Sequence, residues 1–475
     1  AIASSYEGLP HVVIEAMASG TPVVATRDTG TPEVIVDGVN GVLVEPSAAA
    51  FATTFTELAH EPDRLAQLQA GASRSGRDWT IERCAERVER ALSGLADGRP
   101  RAVFLGKNGI PLPLDDDHEE KFAVHSRHLD NVVVCSGPRL RLARTPTARI
   151  VTVPTGGPKV LSTPFFYTAA PLVALGLASG RGPSAIVCQS PYEAVGVLAL
   201  RGLVPERRRP LVQVELHGDW RTASRLYGSV ARKRLSPVAD RLASWALRRA
   251  DRVRVVSDWL RDVALDNGYR GPIEQHIAFS DYGAFYRGAP EPLPRRPHAV
   301  FVGVLERYKA VDVLVDSWPA VLERVPDARL TILGAGSDDA AIRAQIERVG
   351  VESSVTMMPP VARPAVRELL DTAWLLCLPS RSEGLGRIVL EAMAAGRAVV
   401  ASRAGGPEEL VEDGANGRLV EPDDPCDLAR ALSEVLADRS EAERMGADGR
   451  QRAERRDPAQ EYESGIERLA RWVAP

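Results

Sequence analysis

The chain has 475 residues, 44% apolar and 26% charged, which excludes a disordered, collagen-like or disulfide-stapled protein. A net charge of −4 and a pI near 6.2 remove the basic field of a nucleic-acid binder. The five scattered cysteines (Cys84, Cys135, Cys188, Cys377, Cys426) form no CxxC pair, which argues against a zinc or disulfide framework and for a reducing cytoplasm.

The first element is half of a repeat. Residues 1–46 align without gaps on 377–422, with about half of the positions identical. EGLPHVVIEAMASGTPVVATR matches EGLGRIVLEAMAAGRAVVASR, and DGVNGVLVEP matches DGANGRLVEP. Two copies this far apart are a duplicated module, not a solenoid. Residues 1–98 read as a loop, a helix from Val12 to Ala18, a strand from Val23 to Ala25 and later helices. The second copy has a long stretch of chain before its motif and the first has almost none. The expectation is that 1–98 is the rear part of a module whose front is missing, in a chain that starts inside a longer protein. Its role would be packing or binding, with exposed apolar surface that favours association.

After the linker Asp97-Gly98-Arg99-Pro100, short apolar runs alternate with helical stretches. The runs are Ala102–Leu105, Val132–Cys135, Ile150–Val153, Ala185–Cys188, Leu211–Leu216 and Val253–Val256, with a helix over Ala231–Arg249. The most apolar segment, Phe165 to Ala178, is interrupted by Pro171 and Gly176 and falls short of the about 18 residues a membrane span needs. Pro290–Pro297 is a second linker. Strands at Ala299–Val302, Arg329–Leu333, Val355–Met358, Trp374–Leu378 and Ala398–Ala401 follow, with a helix over Val311–Glu323. Runs buried on both faces and separated by helices predict an α/β fold of parallel, doubly wound sheets. Its domains are expected at 101–289 and 298–455, with a last helix at 456–475 packing back on the first of them. Ligands of such sheets sit beyond the C-terminal strand ends, here in an interdomain cleft.

Chemistry-bearing residues cluster at those ends. Leu378 closes a strand and is followed by PSRSEGLG, with Glu391-Ala392-Met393 and Gly396 on the next helix. Glu383 lies in the loop at that helix's start and Glu391 lies further inside it, so two carboxylates and free N–H groups are expected to converge there. The element VGVLERYK (302–309) brings Arg307 and Lys309 to another strand end. Only five lysines stand beside 54 arginines, so Lys309 is not drawn from a Lys-rich background. A third strand ends in Leu216-His217-Gly218-Asp219-Trp220, where Asp219 would orient His217 or bind an acceptor. Gly334-Ala335-Gly336 is a lone GxG, structural first. The run Asp115-Asp116-Asp117 reads as a solvated loop, and no DxD-like metal cluster ends a strand.

These residues resemble the retaining glycosyltransferases of family GT4, which have the GT-B fold. The resemblance covers 101–475 and rests on the E-x7-E signature, matched by Glu383 and Glu391. It implies transfer of a sugar from a nucleotide-sugar to an acceptor hydroxyl with retention, with no metal and no cofactor, the nucleotide-sugar being a substrate. It assigns the donor sugar's hydroxyls to Glu383 with the backbone of Gly384, Leu385 and Gly386, the ribose to Glu391, and the diphosphate to Lys309. Gly334 fits the donor-domain glycine loop, and His217 fits the His that touches the donor sugar near the attacked carbon. Two departures stand out: Val304 occupies the place of the usual diphosphate-binding Arg, which leaves Arg307 as its substitute, and Gly106-Lys107 replaces a Gly-Gly pair. The implied partners are a nucleotide-sugar and a sugar, lipid-linked or small-molecule acceptor, without nucleic acid. Basic stretches at Arg201–Arg209 and Arg232-Lys233-Arg234 fit either a solvated face or peripheral contact with anionic lipid. A nucleotide-sugar epimerase of the same architecture is the rival enzyme reading.

Overall fold

Val-, Ile- and Leu-rich runs bounded by Gly, Pro or Asp become strands buried on both faces, because helices cover each side of the sheets. The computed structural model describes residues 11–27, 31–76, 99–155, 159–179, 183–222, 230–280, 283–286 and 288–474. They belong to two compact units, 1–98 and 99–475.

The first unit holds α1 (His11–Ala18), β1 (Val23–Thr26), β2 (Gly41–Val44), α2 (Ala48–His60) and α3 (Pro62–Gly76). The two strands pair in parallel, Val23 opposite Gly41. One face packs Val13, Met17, Ile35 and Ala72, and the other packs Leu58 and Leu68. Ser47 accepts a bond from the Ala50 N–H and so caps α2.

In the second unit the first sheet contains β3 (Arg101–Leu105), β4 (Asp130–Gly137), β5 (Arg141–Arg144), β6 (Arg149–Pro154), β7 (Ser184–Cys188), β8 (Leu211–Leu216), β9 (Arg252–Val255) and β10 (Ile273–Gln275). Their order is β10-β9-β8-β7-β3-β4-β6-β5, parallel except for β5. Around them lie α4 (Asp116–His128), α5 (Lys159–Ala178), α6 (Pro191–Leu200), α7 (Val230–Arg249) and α8 (Asp258–Asp266).

The second sheet contains β11 (His298–Val302), β12 (Arg329–Leu333), β13 (Val355–Met358), β14 (Leu375–Leu378), β15 (Ala398–Ser402) and β16 (Gly417–Val420). Its order is β13-β12-β11-β14-β15-β16, all parallel. Its helices are α9 (Val311–Arg324), α10 (Asp339–Val349), α11 (Arg363–Asp371), α12 (Arg387–Ala394), α13 (Pro425–Ala437) and α14 (Arg439–Glu454). The strand order reverses between β11 and β14, and in the first sheet between β3 and β7. Those crevices are where a doubly wound sheet binds ligand.

The last helix, α15 (Pro458–Val473), returns to the first sheet. Tyr462, Ile466, Leu469 and Val473 bury against Phe104 and Phe122, and the Tyr462 hydroxyl lies 2.6 Å from Nε2 of His125. Burial pushes His125 down to about 3, so this histidine is a neutral core residue.

Several elements differ from the sequence expectation. Asp115-Asp116-Asp117 is no loop: Asp115 caps α4 by accepting from the His118 N–H, and its two neighbours form the acidic first turn. The antiparallel edge strand β5 was not expected, because Arg141-Leu142-Ala143-Arg144 is largely exposed and carries no apolar run. β10, Ile273-Glu274-Gln275, and β16, which opens with Gly417-Arg418, carry no apolar run that stands out. Cys135, Cys188 and Cys377 are free and buried and Cys426 is free and exposed; Cys84 lies outside the described residues. No described helix is long and apolar enough to cross a membrane.

Candidate active site

The crevice between β11 and β14 brings together Lys309 and Glu383. Lys309 ends a 3-10 turn, Arg307–Lys309, that follows β11. Ala310 then takes φ 52° and ψ 37°, a left-handed conformation that suits glycine. Glu383 follows β14 and is fixed by its backbone, its N–H donating to the Ala404 carbonyl and its carbonyl accepting from Gly406. The Lys309 Nζ donates to Glu383 Oε2 at 2.5 Å, and the Ser380 hydroxyl donates to the same oxygen at 3.2 Å. Both charged side chains are largely shielded, which makes the pair stiff. Gly386 (φ 80°) then starts α12, and no side chain caps it; the Val389 N–H donates to the Gly386 carbonyl at 2.8 Å, and the N–H groups of Arg387 and Ile388 remain for a ligand.

The opposing wall comes from β7 and β8. His217 follows β8 and is 42% exposed to the cleft. Its Nε2 lies 3.1 Å from Oε2 of Glu215. Burial opposes a charge on Glu215 and is the largest single influence on it, but the Arg254 guanidinium 3.6 Å away, the hydrogen bond from His217 and the charges of His217 and His276 together outweigh it and hold that carboxyl well below the usual range. Desolvation by the cleft walls pushes His217 down, against the pull of Glu215. Burial also lowers the nearby Lys121 ammonium of α4.

The two walls come together at Gly384. A Cβ on Gly384 would lie 2.0 Å from the His217 carbonyl oxygen, so only glycine permits this approach. Between the walls is a cavity of about 350 Å³ lined by Gln189, Tyr192, Glu215, His217, Trp220, Tyr308 and Glu383, among others.

The other expected residues lie around it. Leu385 is buried. Gly334 packs so tightly on the loop after β11 that a Cβ would sit 1.8 Å from the Gly303 carbonyl oxygen. Glu391 is 6% exposed, is not among the residues lining this cavity, and accepts from Arg363 at 3.0 Å. Burial raises its carboxyl, with Arg363 and Arg387 opposing. The Arg307 side chain is 61% exposed, with Asp312 at 3.8 Å. Asp219 does not orient His217, because it is held by Arg221 at 2.8 Å. Of the basic stretches, Arg201 pairs with Asp251 and Arg209 with Glu206, while Arg232-Lys233-Arg234 fall in α7.

Sequence reasoning missed Glu215, Arg254 and Tyr192, and quoted Trp220 without a role. Glu215 had a signal: it interrupts an apolar strand two residues before His217, and strand positions i and i+2 share a face. Arg254 had none, because its role depends on β9 lying beside β8.

The protein-family model for glycosyl transferases group 1 matches residues 1–75 and 287–452, together about half of the chain. The chain belongs to this family. Among curated members, D-inositol 3-phosphate glycosyltransferase of Nocardia farcinica is 36% identical over 161 residues, 32% of this chain and 36% of that protein. The enzyme of the same name from Paenarthrobacter aurescens is 37% identical over 153 residues, 31% of this chain and 38% of its own. The match thus spans about a third of the length of these relatives. Among solved structures, sucrose-phosphate synthase from Thermosynechococcus elongatus superposes with a TM-score of 0.65 at 18% identity, over 79% of this chain and 99% of that one. Anabaena HepE, in complex with UDP and glucose, gives 0.57 at 17% identity, over 78% and 98%. The fold of this group 1 member is GT-B.

Proposed function

We propose that the second unit transfers a sugar from a nucleotide-sugar to an acceptor hydroxyl, with retention of configuration and without a metal ion. The observation that carries this is the Lys309–Glu383 pair at one switch point, facing His217 across the cavity. A departing diphosphate needs positive charge in a low-dielectric cleft, and the Lys309 ammonium is a fixed, shielded source of it. Glu383, an acceptor-only carboxylate, binds sugar hydroxyls, with the α12 N–H groups beside it. The same carboxylate neutralises Lys309 before the donor arrives, so the site does not hold an uncompensated cation. The Gly384–His217 contact brings the two cavity walls together beside the reacting atoms, where further closure on the substrates would exclude water. The departing phosphate oxygen takes the acceptor's proton. Glu391, on α12, is held by Arg363 through one carboxylate oxygen, and its other oxygen would meet a ribose hydroxyl.

The test is a screen of nucleotide-sugars with the whole chain, read as released nucleotide, followed by NMR of the product's anomeric configuration. Nucleotide release with an α-linked product from an α-linked donor, undiminished by a chelator, is the expected result. Conversion of donor without nucleotide release would establish the epimerase reading instead.

A further inference from the structure

A polar relay runs from the interior of the first sheet to the cavity. Arg254 on β9 is 1% exposed, and its guanidinium is fixed by donating to the carbonyls of His276 at 2.8 Å and Ile277 at 2.5 Å. It lies 3.6 Å from Glu215 Oε2, and that same oxygen lies 3.1 Å from Nε2 of His217. A carboxylate beside a buried guanidinium is ionised and only accepts, so Nε2 must carry the imidazole proton. The other ring nitrogen, Nδ1, has no protein partner among the described residues and is left as an acceptor on a ring that lines the cavity.

We propose that Glu215 is a positioning residue: it locks His217 in the Nε2–H tautomer, so that Nδ1 accepts a hydrogen bond from a hydroxyl of the sugar substrate. This rests on the transferase reading for its substrate, but not for the tautomer. The arrangement explains why a charged residue interrupts an apolar strand at a cost in desolvation, and why a buried arginine stands behind it. It also fixes the direction of a pH effect. The titratable and charged groups around the relay are Glu215 on the same strand as His217, Arg254 on β9, Lys121 on α4, His276 beyond β10, which acts on Glu215, and Asp219 and Glu383 at the cavity. Burial, Arg254 and Lys121 lower the His217 pKa, and Glu215 alone among its named influences raises it. Replacing the carboxylate by an amide removes the raising influence and moves the pKa further down. Neutral His217 is the working form, so activity then persists to lower pH.

The experiment uses the full chain and three variants, Glu215→Gln, His217→Ala and the double substitution. With the donor selected by the nucleotide-release screen, Glu215→Gln should lower kcat roughly ten- to a hundredfold through misplacement of the ring. The KM for donor stays near the wild-type value, and the acid limb of the pH profile moves to lower pH. The double variant should be no slower than His217→Ala. Multiplying effects, or an unmoved acid limb, would overturn the proposal. A second arm needs neither turnover nor a folded variant: in wild-type protein labelled with 15N-histidine, His217 should show the Nε2–H pattern, and the Nδ1–H pattern would overturn the relay. If no nucleotide-sugar is turned over, the transferase reading fails and this arm still decides the tautomer.

Discussion

In both copies of the repeat one asparagine holds the turn ahead of the last strand. Asn40 accepts from the Val36 N–H at 2.8 Å and donates to the Val34 carbonyl at 3.2 Å. Asn416 accepts from the Glu412 N–H at 2.8 Å and donates to the Leu410 carbonyl at 2.9 Å. The neighbouring aspartates match too, Asp37 accepting from Leu43 at 2.9 Å and Asp413 from Leu419 at 3.0 Å. Strand register is preserved, Val23 opposite Gly41 and Val399 opposite Gly417. The surroundings are not. β15 is flanked by β14 and β16, whereas β1 pairs only with β2 among the described residues. Helix α13 packs on α9, while α2 leaves Phe55 46% exposed. Glu391 is buried on Arg363, and its counterpart Glu15 is exposed. A sequence of this length therefore carries its turns and strand pairing with it, but the chemistry of its carboxylates is set by what packs around them.

Four experiments test that division, beginning with the largest effect. Arg363→Ala leaves the Glu391 carboxylate buried without its ion pair and should destabilise the second unit by about 3–5 kcal/mol. Glu15→Ala in the first copy should stay within about 0.5 kcal/mol. Calorimetry decides both, and equal losses would break the comparison. Glu383→Ala removes the partner of Lys309 and should slow transfer roughly 10²–10³-fold with the fold retained. The matching change at Glu7, which lies outside the described residues, should leave the rate unchanged, and kinetics under saturating donor measure both. The two asparagines should behave alike: Asn40→Ala and Asn416→Ala each strand buried backbone groups and should cost about 1–3 kcal/mol, read by denaturant unfolding. Finally, Ala310→Gly relieves a left-handed alanine and should stabilise the second unit by about 1 kcal/mol, seen as a small rise in Tm.

The parallel sheets were legible because strands buried on both faces are apolar throughout, and His217, Lys309 and Glu383 were legible because they end such strands. Other parts were not. Arg141–Arg144 forms a strand only because β6 offers it an edge, and Asp115 looks solvated until a helix needs a cap. Asp219 and Glu215 both flank His217, and adjacency alone could not say which one holds it. Their partners decide: Arg221 takes Asp219, and Arg254, from a neighbouring strand, charges Glu215.

By itself, then, the sequence determined the duplicated turn-and-strand unit, the alternation of strands and helices, and the strand-end positions of the reactive groups, because each depends on residues near one another along the chain. Tertiary structure alone decided that Glu391 pairs with Arg363, that Arg307 points to solvent, and that His217 leans on Glu215. Those outcomes depend on burial and on charges brought from distant strands, and the energy of a carboxylate or an imidazole changes more with that environment than with its neighbours in sequence.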